Sequence, residues 1–170
     1  MKIPELETPR LFMRPWRNSD LDQYAVMCAD AEVMRYIGTG VTQTRSEAWR
    51  AMASFLGHWA LRGYGMWAVE RKDNGELVGR VGFIEPEGWP GFELGWLLGR
   101  SHWGQGYARE AATEALRFGR HTLGRDRAIS LIRPENKRSI NLALALGYTF
   151  TREIDFLGGQ AQVYEIVMPA

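Results

Sequence analysis

Apolar positions along this chain change period several times, and each change marks an element. Leu11, Phe12, Met13 and Trp16 give a short strand from Leu11 to Trp16. Asn18 or Ser19 can cap the helix that follows. There Leu21, Tyr24, Ala25 and Cys28 recur at three- and four-residue intervals as far as Asp30. Thr44, Arg45, Ser46 and Glu47 read as a capping box, Thr44 accepting from the third helical amide and Glu47 reaching back. The helix behind it carries Ala48, Met52, Phe55 and Trp59 as an apolar stripe, with Trp49 and Leu56 beside it, and ends at Gly63 and Gly65. Alternation then takes over. Met66 to Arg71 and Leu77 to Ile84 are strands joined through Asp73, Asn74 and Gly75, residues that tolerate the positive backbone angles of a tight hairpin. Glu85 to Gly91, with Pro86 and Pro90, is a loop whose Trp89 is either exposed or covers a cleft. Phe92 to Leu98 is the next strand, antiparallel to its predecessor.

The second half alternates helix and strand. Ala108, Ala111, Ala112, Ala115 and Leu116 give a helix from Tyr107 with a small-residue face, which permits close packing on a sheet; Gly124 closes that region. Ala128 to Ile132 is a strand parallel to Phe92–Leu98, because a helix lies between them. Pro134 and Asn136 start a short helix from Lys137 to Leu146, which Gly147 stops. Tyr148 to Ile154 and Gln162 to Met168 form a hairpin through Gly158 and Gly159. The order predicts one α+β domain over residues 1–170: a mixed sheet, mostly antiparallel, with a central parallel pair and flanking helices.

Composition narrows the function more than the fold. A formal charge of +1 argues against a dedicated nucleic-acid binder, whose phosphate contacts need a basic excess. Met1 to Arg10 lacks the apolar core of a signal peptide, and no apolar run is long enough to span a bilayer, so a cytoplasmic protein without membrane contact is expected. Cys28 is the only cysteine. It excludes an internal disulfide and a cysteine-rich metal site, and its place on a helix face makes it a buried thiol rather than a reactive one. His58, His102 and His121 pair with no other ligand at metal spacing, so no metal is expected. His121 suits a helix C-terminus and His102 could approach a phosphate.

The stretch from Phe92 to Leu116 concentrates the chemistry. It runs from a strand through Trp103, Gly104, Gln105, Gly106, Tyr107 and Ala108 into a helix. The first-turn amides of a helix have no internal partner, and glycines let them close on a phosphate from several sides. A Walker loop is excluded, since Tyr107 and Ala108 follow Gly106 where Lys and Ser/Thr are needed. The dinucleotide fingerprint is excluded by Arg109 at its third glycine position.

The loop resembles the pyrophosphate loop, Q/R-x-x-G-x-G/A, of the Gcn5-related N-acetyltransferase (GNAT) superfamily, with Trp103 in place of the usual Gln or Arg. The run Trp103 to Ala112, together with the opening L-x-T-x-R-L at Leu6 to Leu11, is similar to the ribosomal-protein N-terminal acetyltransferase (RimJ/RimL-type) branch. The resemblance extends along nearly the whole chain. It implies a sheet whose parallel strands splay apart, with acetyl-CoA in the cleft: the loop Trp103 to Ala108 binding it, pyrophosphate on the Gln105 to Ala108 amides, thioester near Trp96, Leu97 and Leu98. It also implies that Asn136 bonds the pantetheine chain, although Asn136 suffices as a helix cap.

Glu93, beside the expected thioester, is the candidate base that takes a proton from an attacking amine; a surface or ion-paired glutamate is the plainer alternative. Ser139 is the candidate donor to the leaving thiolate, because Ala143 occupies the position where many superfamily members carry a tyrosine acid. Trp89 and Trp67 are candidates for an acceptor pocket. The expected activity is acetyl transfer to a primary amine, on a protein N-terminus or a small molecule. Trp103 and Ala143 keep a non-catalytic acyl-CoA-binding module open as the alternative. A homodimer is compatible with the sequence, and no stretch specifies one.

Overall fold

A computed structural model describes residues 2–168. One mixed sheet of eight strands organises the chain: β1 (Leu6–Glu7), β2 (Leu11–Arg14), β3 (Met66–Arg71), β4 (Leu77–Ile84), β5 (Glu93–Leu98), β6 (Arg127–Ile132), β7 (Thr149–Phe156) and β8 (Gly159–Val167). Their spatial order is β1-β2-β3-β4-β5-β6-β8-β7. Every neighbouring pair is antiparallel except β5 and β6, as their intervening helix requires. The hairpin at the end folds back so that β8, not β7, pairs with β6.

Alternation along the strands sends two apolar sets to opposite faces. Trp67, Val69, Val81, Phe83, Leu94 and Leu98 face α4 (Tyr107–His121) and α5 (Lys137–Leu146) in one cluster. Ala68, Leu77 and Leu97 face α1 (Leu21–Ala29), α2 (Ala31–Met34) and the start of α3 (Arg45–Arg62) in the other. The alanine face of α4 buries Ala111, Ala112 and Ala115 completely. On α3, Thr44 and Glu47 make the capping box, Gly63 ends the helix in the left-handed conformation, and Ala48, Met52 and Trp59 are the buried positions, while Trp49 and Leu56 are exposed. Among the described residues, no helix is long and apolar enough to cross a membrane.

Four details differ from the sequence reading. The strand expected from Leu11 to Trp16 is β2, preceded by the short β1, and it stops at Arg14, whose buried side chain pairs with Asp20 and Glu70. Asp20 also accepts from the Arg17 amide, so it and not Asn18 or Ser19 organises the helix entry. The first helix breaks at Asp30, whose carboxylate accepts from the Glu32 amide and starts the separate α2. Trp67 is completely buried against Trp59 and Phe118 with its indole N–H on Pro4 O, so it belongs to the core and to no acceptor pocket.

Candidate active site

The parallel pair β5/β6 is joined at a single register point, Glu93 opposite Ile129, where the Ile129 amide donates to Phe92 O at 2.9 Å. A continuing parallel ladder would next join the Leu131 amide to Leu94 O. Both groups are instead taken by side chains. Leu131 N donates to Glu93 Oε1 at 3.2 Å, and the Ser130 hydroxyl donates to Leu94 O at 2.7 Å. The strands therefore separate without orphaning these buried polar groups. Further along β5, the Trp103 indole N–H takes Leu98 O at 2.9 Å. Trp96, between Leu94 and Leu98 on the same edge, has its main-chain groups facing the gap.

Two cavities open from this gap. One, of about 270 Å³, lies along Trp96, Leu97 and Leu98 to Trp103, Gly104, Gly106, Tyr107 and Ala108. The other, of about 210 Å³, lies toward the start of β5 and contains Glu93 with Gly95, Arg80, Trp89 and Phe156. Trp96, Asn136, Ser139, Tyr36 and Ile37 line both. The Trp96 indole N–H donates to Ser139 Oγ at 3.1 Å across that shared wall. Asn136 caps α5 by accepting from the Ser139 amide at 3.3 Å, which fixes the serine at the junction.

The glycine loop has the form of an anion cradle. Gly104 and Gly106 adopt φ of +74° and +80°, a region costly for residues with a Cβ. Among the described residues no protein acceptor meets the amides of Gly104, Gln105, Gly106, Tyr107, Ala108 or Arg109; the first helical amide with a partner is Glu110, on Gly106 O. These donors converge at the positive end of α4. Gln105 keeps its main-chain amide for the cradle, while its side-chain nitrogen donates to Ser101 O at 2.8 Å. His102 is buried next to the loop and lines the cavity, its Nε2 3.5 Å from Glu76.

Sequence reasoning missed what holds the loop. Arg10 donates to Gln105 O at 3.0 Å and to Glu110 at 2.7 Å, and its guanidinium lies 4.5 Å from the Tyr107 ring centroid. Thr8 adds a hydroxyl bond to Glu110 at 2.6 Å. Burial would raise the Glu110 carboxyl, but the Thr8 and Arg10 donors outweigh it and hold the group below its ordinary value. Thr8 and Arg10 are conspicuous in the opening motif, yet the partner lies a hundred residues away. Arg138, also missed, lies 3.4 Å from the Trp103 ring centroid and lines the first cavity with Arg109. The tryptophan at the unusual position thus serves as a platform for a cation.

Glu93 is buried, and its carboxylate accepts from the Trp89 indole N–H at 2.6 Å as well as from Leu131. Burial pushes it up to about 7, against the opposing pull of those two donors and the charge of Arg80. Trp89 in turn meets Phe156 edge-on at 4.7 Å, so the proline-containing loop closes over the cavity. Ala143 is fully buried and offers no hydroxyl. Among the described residues no cluster of His, Cys, Asp or Glu could hold a metal ion.

The sequence model of the acetyltransferase (GNAT) domain matches residues 10–149, from the loop-bracing arginine past the end of α5. The chain belongs to the GNAT acetyltransferase family. Relatives match this GNAT chain over nearly all of its length. The Bacillus subtilis protein YkkB is 30% identical over 169 residues, covering 95% of this chain and 94% of its own. An acetyltransferase from Agrobacterium tumefaciens superposes with a TM-score of 0.87 at 29% identity, covering 98% of this chain and 95% of that one. RimL, a ribosomal L7/L12 α-N-protein acetyltransferase solved with coenzyme A, shares the fold at a TM-score of 0.78 and 17% identity, covering 99% and 98%.

Proposed function

We propose that this GNAT chain transfers the acetyl group of acetyl-CoA directly to a primary amine, within one complex of both substrates. The observation that carries the proposal is a buried carboxyl, Glu93, raised to about 7 beside the junction of two cavities. A group with that value is half ionised at neutral pH and can accept a proton at the pH where it works. An amine is largely protonated there and attacks only after losing that proton.

The residues present fit the acyl donor. Six amides without a protein acceptor, at the start of α4, can hold a pyrophosphate, and the open edge at Trp96 can take a pantetheine amide as an added strand. That RimL binds coenzyme A in the same fold supports the assignment. Asn136 keeps its amide nitrogen for the same chain while its oxygen caps α5.

Glu93, directly or through water, takes the proton as the nitrogen bonds the acetyl carbon. Ser139 Oγ accepts from Trp96, which leaves its hydroxyl free to donate a hydrogen bond to the sulfur as the carbon–sulfur bond breaks, the thiolate then taking its proton from solvent. A thiol of ordinary pKa near 8.5 leaves readily as thiolate, so a hydrogen-bond donor suffices where Ala143 replaces a tyrosine. The products are an amide and free coenzyme A thiol.

Incubation with acetyl-CoA and a panel of amines, with detection of released thiol, tests the reading. Turnover should appear with some amine and fall in Glu93→Gln. Tight coenzyme A binding with no thiol release on any acceptor would favour the non-catalytic binding module, the reading that Trp103 and Ala143 keep open.

A further inference from the structure

The cavity that holds Glu93 also holds a cation, Arg80, whose charge reaches the Glu93 carboxyl but which no carboxylate among the described residues pairs with directly. Arg80 stands on β4 opposite Leu97, half-buried, on the face of the sheet shared by Glu93 and Gly95. Its Nε donates to the Tyr24 hydroxyl at 3.2 Å, one Nη meets the Met66 sulfur at 3.7 Å, and its Cζ lies 5.3 Å from the Phe55 ring centroid. None of these neighbours carries a charge. Burial pushes the Tyr24 phenol up to about 12 and also raises the Cys28 thiol next to it, so both stay neutral. Among the described residues no carboxylate pairs with Arg80, whereas Arg10, Arg14, Arg71 and Arg117 each have one. A guanidinium presents five N–H donors in a planar fork; here one meets an oxygen and one a weak thioether acceptor. A partly desolvated cation with spare donors facing a cavity matches a planar oxyanion.

We infer that the acceptor is a small amine that also bears a carboxylate or phosphate, its nitrogen served by Glu93 and its oxyanion held by Arg80. This inference rests on the acetyl-transfer reading and names the substrate class. The size of the cavity, about 210 Å³, sets the scale of the acceptor. Its rim is latched by Arg133, which donates to Gly38 O at 2.9 Å on one side and to Gln160 O at 3.0 Å on the other. A free amino acid fits such an enclosure better than a polypeptide. Trp89, Trp96 and Phe156 supply an apolar wall for its body.

Matched pairs of amines decide it: phenylalanine against phenethylamine, tryptophan against tryptamine, and ω-amino acids of increasing length against the corresponding alkylamines, with phosphoethanolamine as a phosphate arm. The best anionic amine should exceed its uncharged partner about 10- to 100-fold in kcat/KM, as expected for a charge-assisted contact. In Arg80→Gln that ratio should collapse toward one, mainly through KM, and Arg80→Lys should keep part of it; a thermal melt checks that both variants fold. Calorimetric titration of the same amines in the absence of acetyl-CoA should reproduce the ordering. A preference for the phosphate arm supports the site and names the oxyanion. Uncharged amines bound and used equally well, a ratio unchanged in Arg80→Gln, or a tripeptide preferred over every free amino acid would overturn the inference. If no amine is acetylated, the acetyl-transfer reading falls separately, while the calorimetric ordering still decides whether Arg80 is an anion site.

Discussion

The two cavities that meet at Trp96 and Ser139 are made of different material. The one beside α4 ends in a cradle of backbone, two glycines at positive φ, a helix start and an open strand edge, with side chains such as Trp103 and Arg138 around it. The one around Glu93 is built from side chains on many separate elements, including Tyr36, Arg80, Trp89, Arg133 and Phe156. Main-chain donors recognise a phosphate whatever the neighbouring side chains are. A wall of side chains changes its preference with each substitution. The contrast suits the proposed division, with the constant substrate in the first cavity and the variable one in the second.

The sharpest way to break this division is to remove chemistry from one side only. Glu93→Gln should lower kcat by about 10²- to 10⁴-fold, the usual worth of a positioned base, while coenzyme A affinity measured by calorimetry changes little. Normal turnover in that variant across pH 6 to 9 would take Glu93 out of the mechanism. In the parent, kcat should fall about tenfold per unit below pH 7 and level off above it, since Glu93 must be ionised to act and titrates near 7. A profile flat from pH 5 to 8 would contradict this.

The backbone side is tested at Gly106. Its φ of +80° disfavours any Cβ, and Arg10 lies where one would point. Gly106→Ala should weaken coenzyme A binding by up to about 5- to 30-fold, the equivalent of a strain of about 1–2 kcal/mol, and leave the pH profile where it was. A shift in that profile would mean that the two sites are not separable.

The same carboxyl makes an opposite prediction for stability. A folded-state value raised above the ordinary carboxyl range means that the native protein holds a proton the unfolded chain has released. The stabilising contribution is full below about pH 4.5 and is lost as pH rises through about 7. At pH 8 Glu93→Gln should therefore be more stable than the parent by on the order of 1 kcal/mol, because it relieves a buried charge while keeping one acceptor for Trp89 or Leu131. A lower melting temperature at pH 8 would show that holding the splayed strands outweighs the cost of burying the charge. The smallest effect is expected at the brace. Glu110→Gln breaks an ion pair to a half-exposed Arg10, so coenzyme A affinity should drop only about threefold, with kcat unaffected.

What could be read from the chain follows the same division. The glycine loop was legible because its donors are contiguous and its backbone angles demand glycine. The capping box at Thr44, the Asp73–Gly75 turn and the parallel pair were legible for similar reasons, each being set by local spacing or by a single connection. The burial of Glu93 was not, since it depends on Trp89 folding over it and on the ladder failing at Leu131. Trp67 shows the converse error: an aromatic within a strand looks the same in the sequence whether it faces a pocket or the core, and only the register against Val81 settles the face. Arg80 sits in a run of glycines and aliphatics that reads simply as strand. Its missing partner is a property of Tyr24, Phe55 and Met66, which no spacing brings together.

The single hydrogen bond between Trp96 and Ser139 gives this chain a practical handle. Because the serine sits on a helix capped by Asn136 and the indole is rooted in the sheet, the wall between donor and acceptor is tethered at both ends. A directed-evolution library confined to Arg80, Trp89 and Phe156, which line the Glu93 cavity and not the other, would leave that wall intact, and new acylation specificities could be selected without retuning the grip on the acyl carrier.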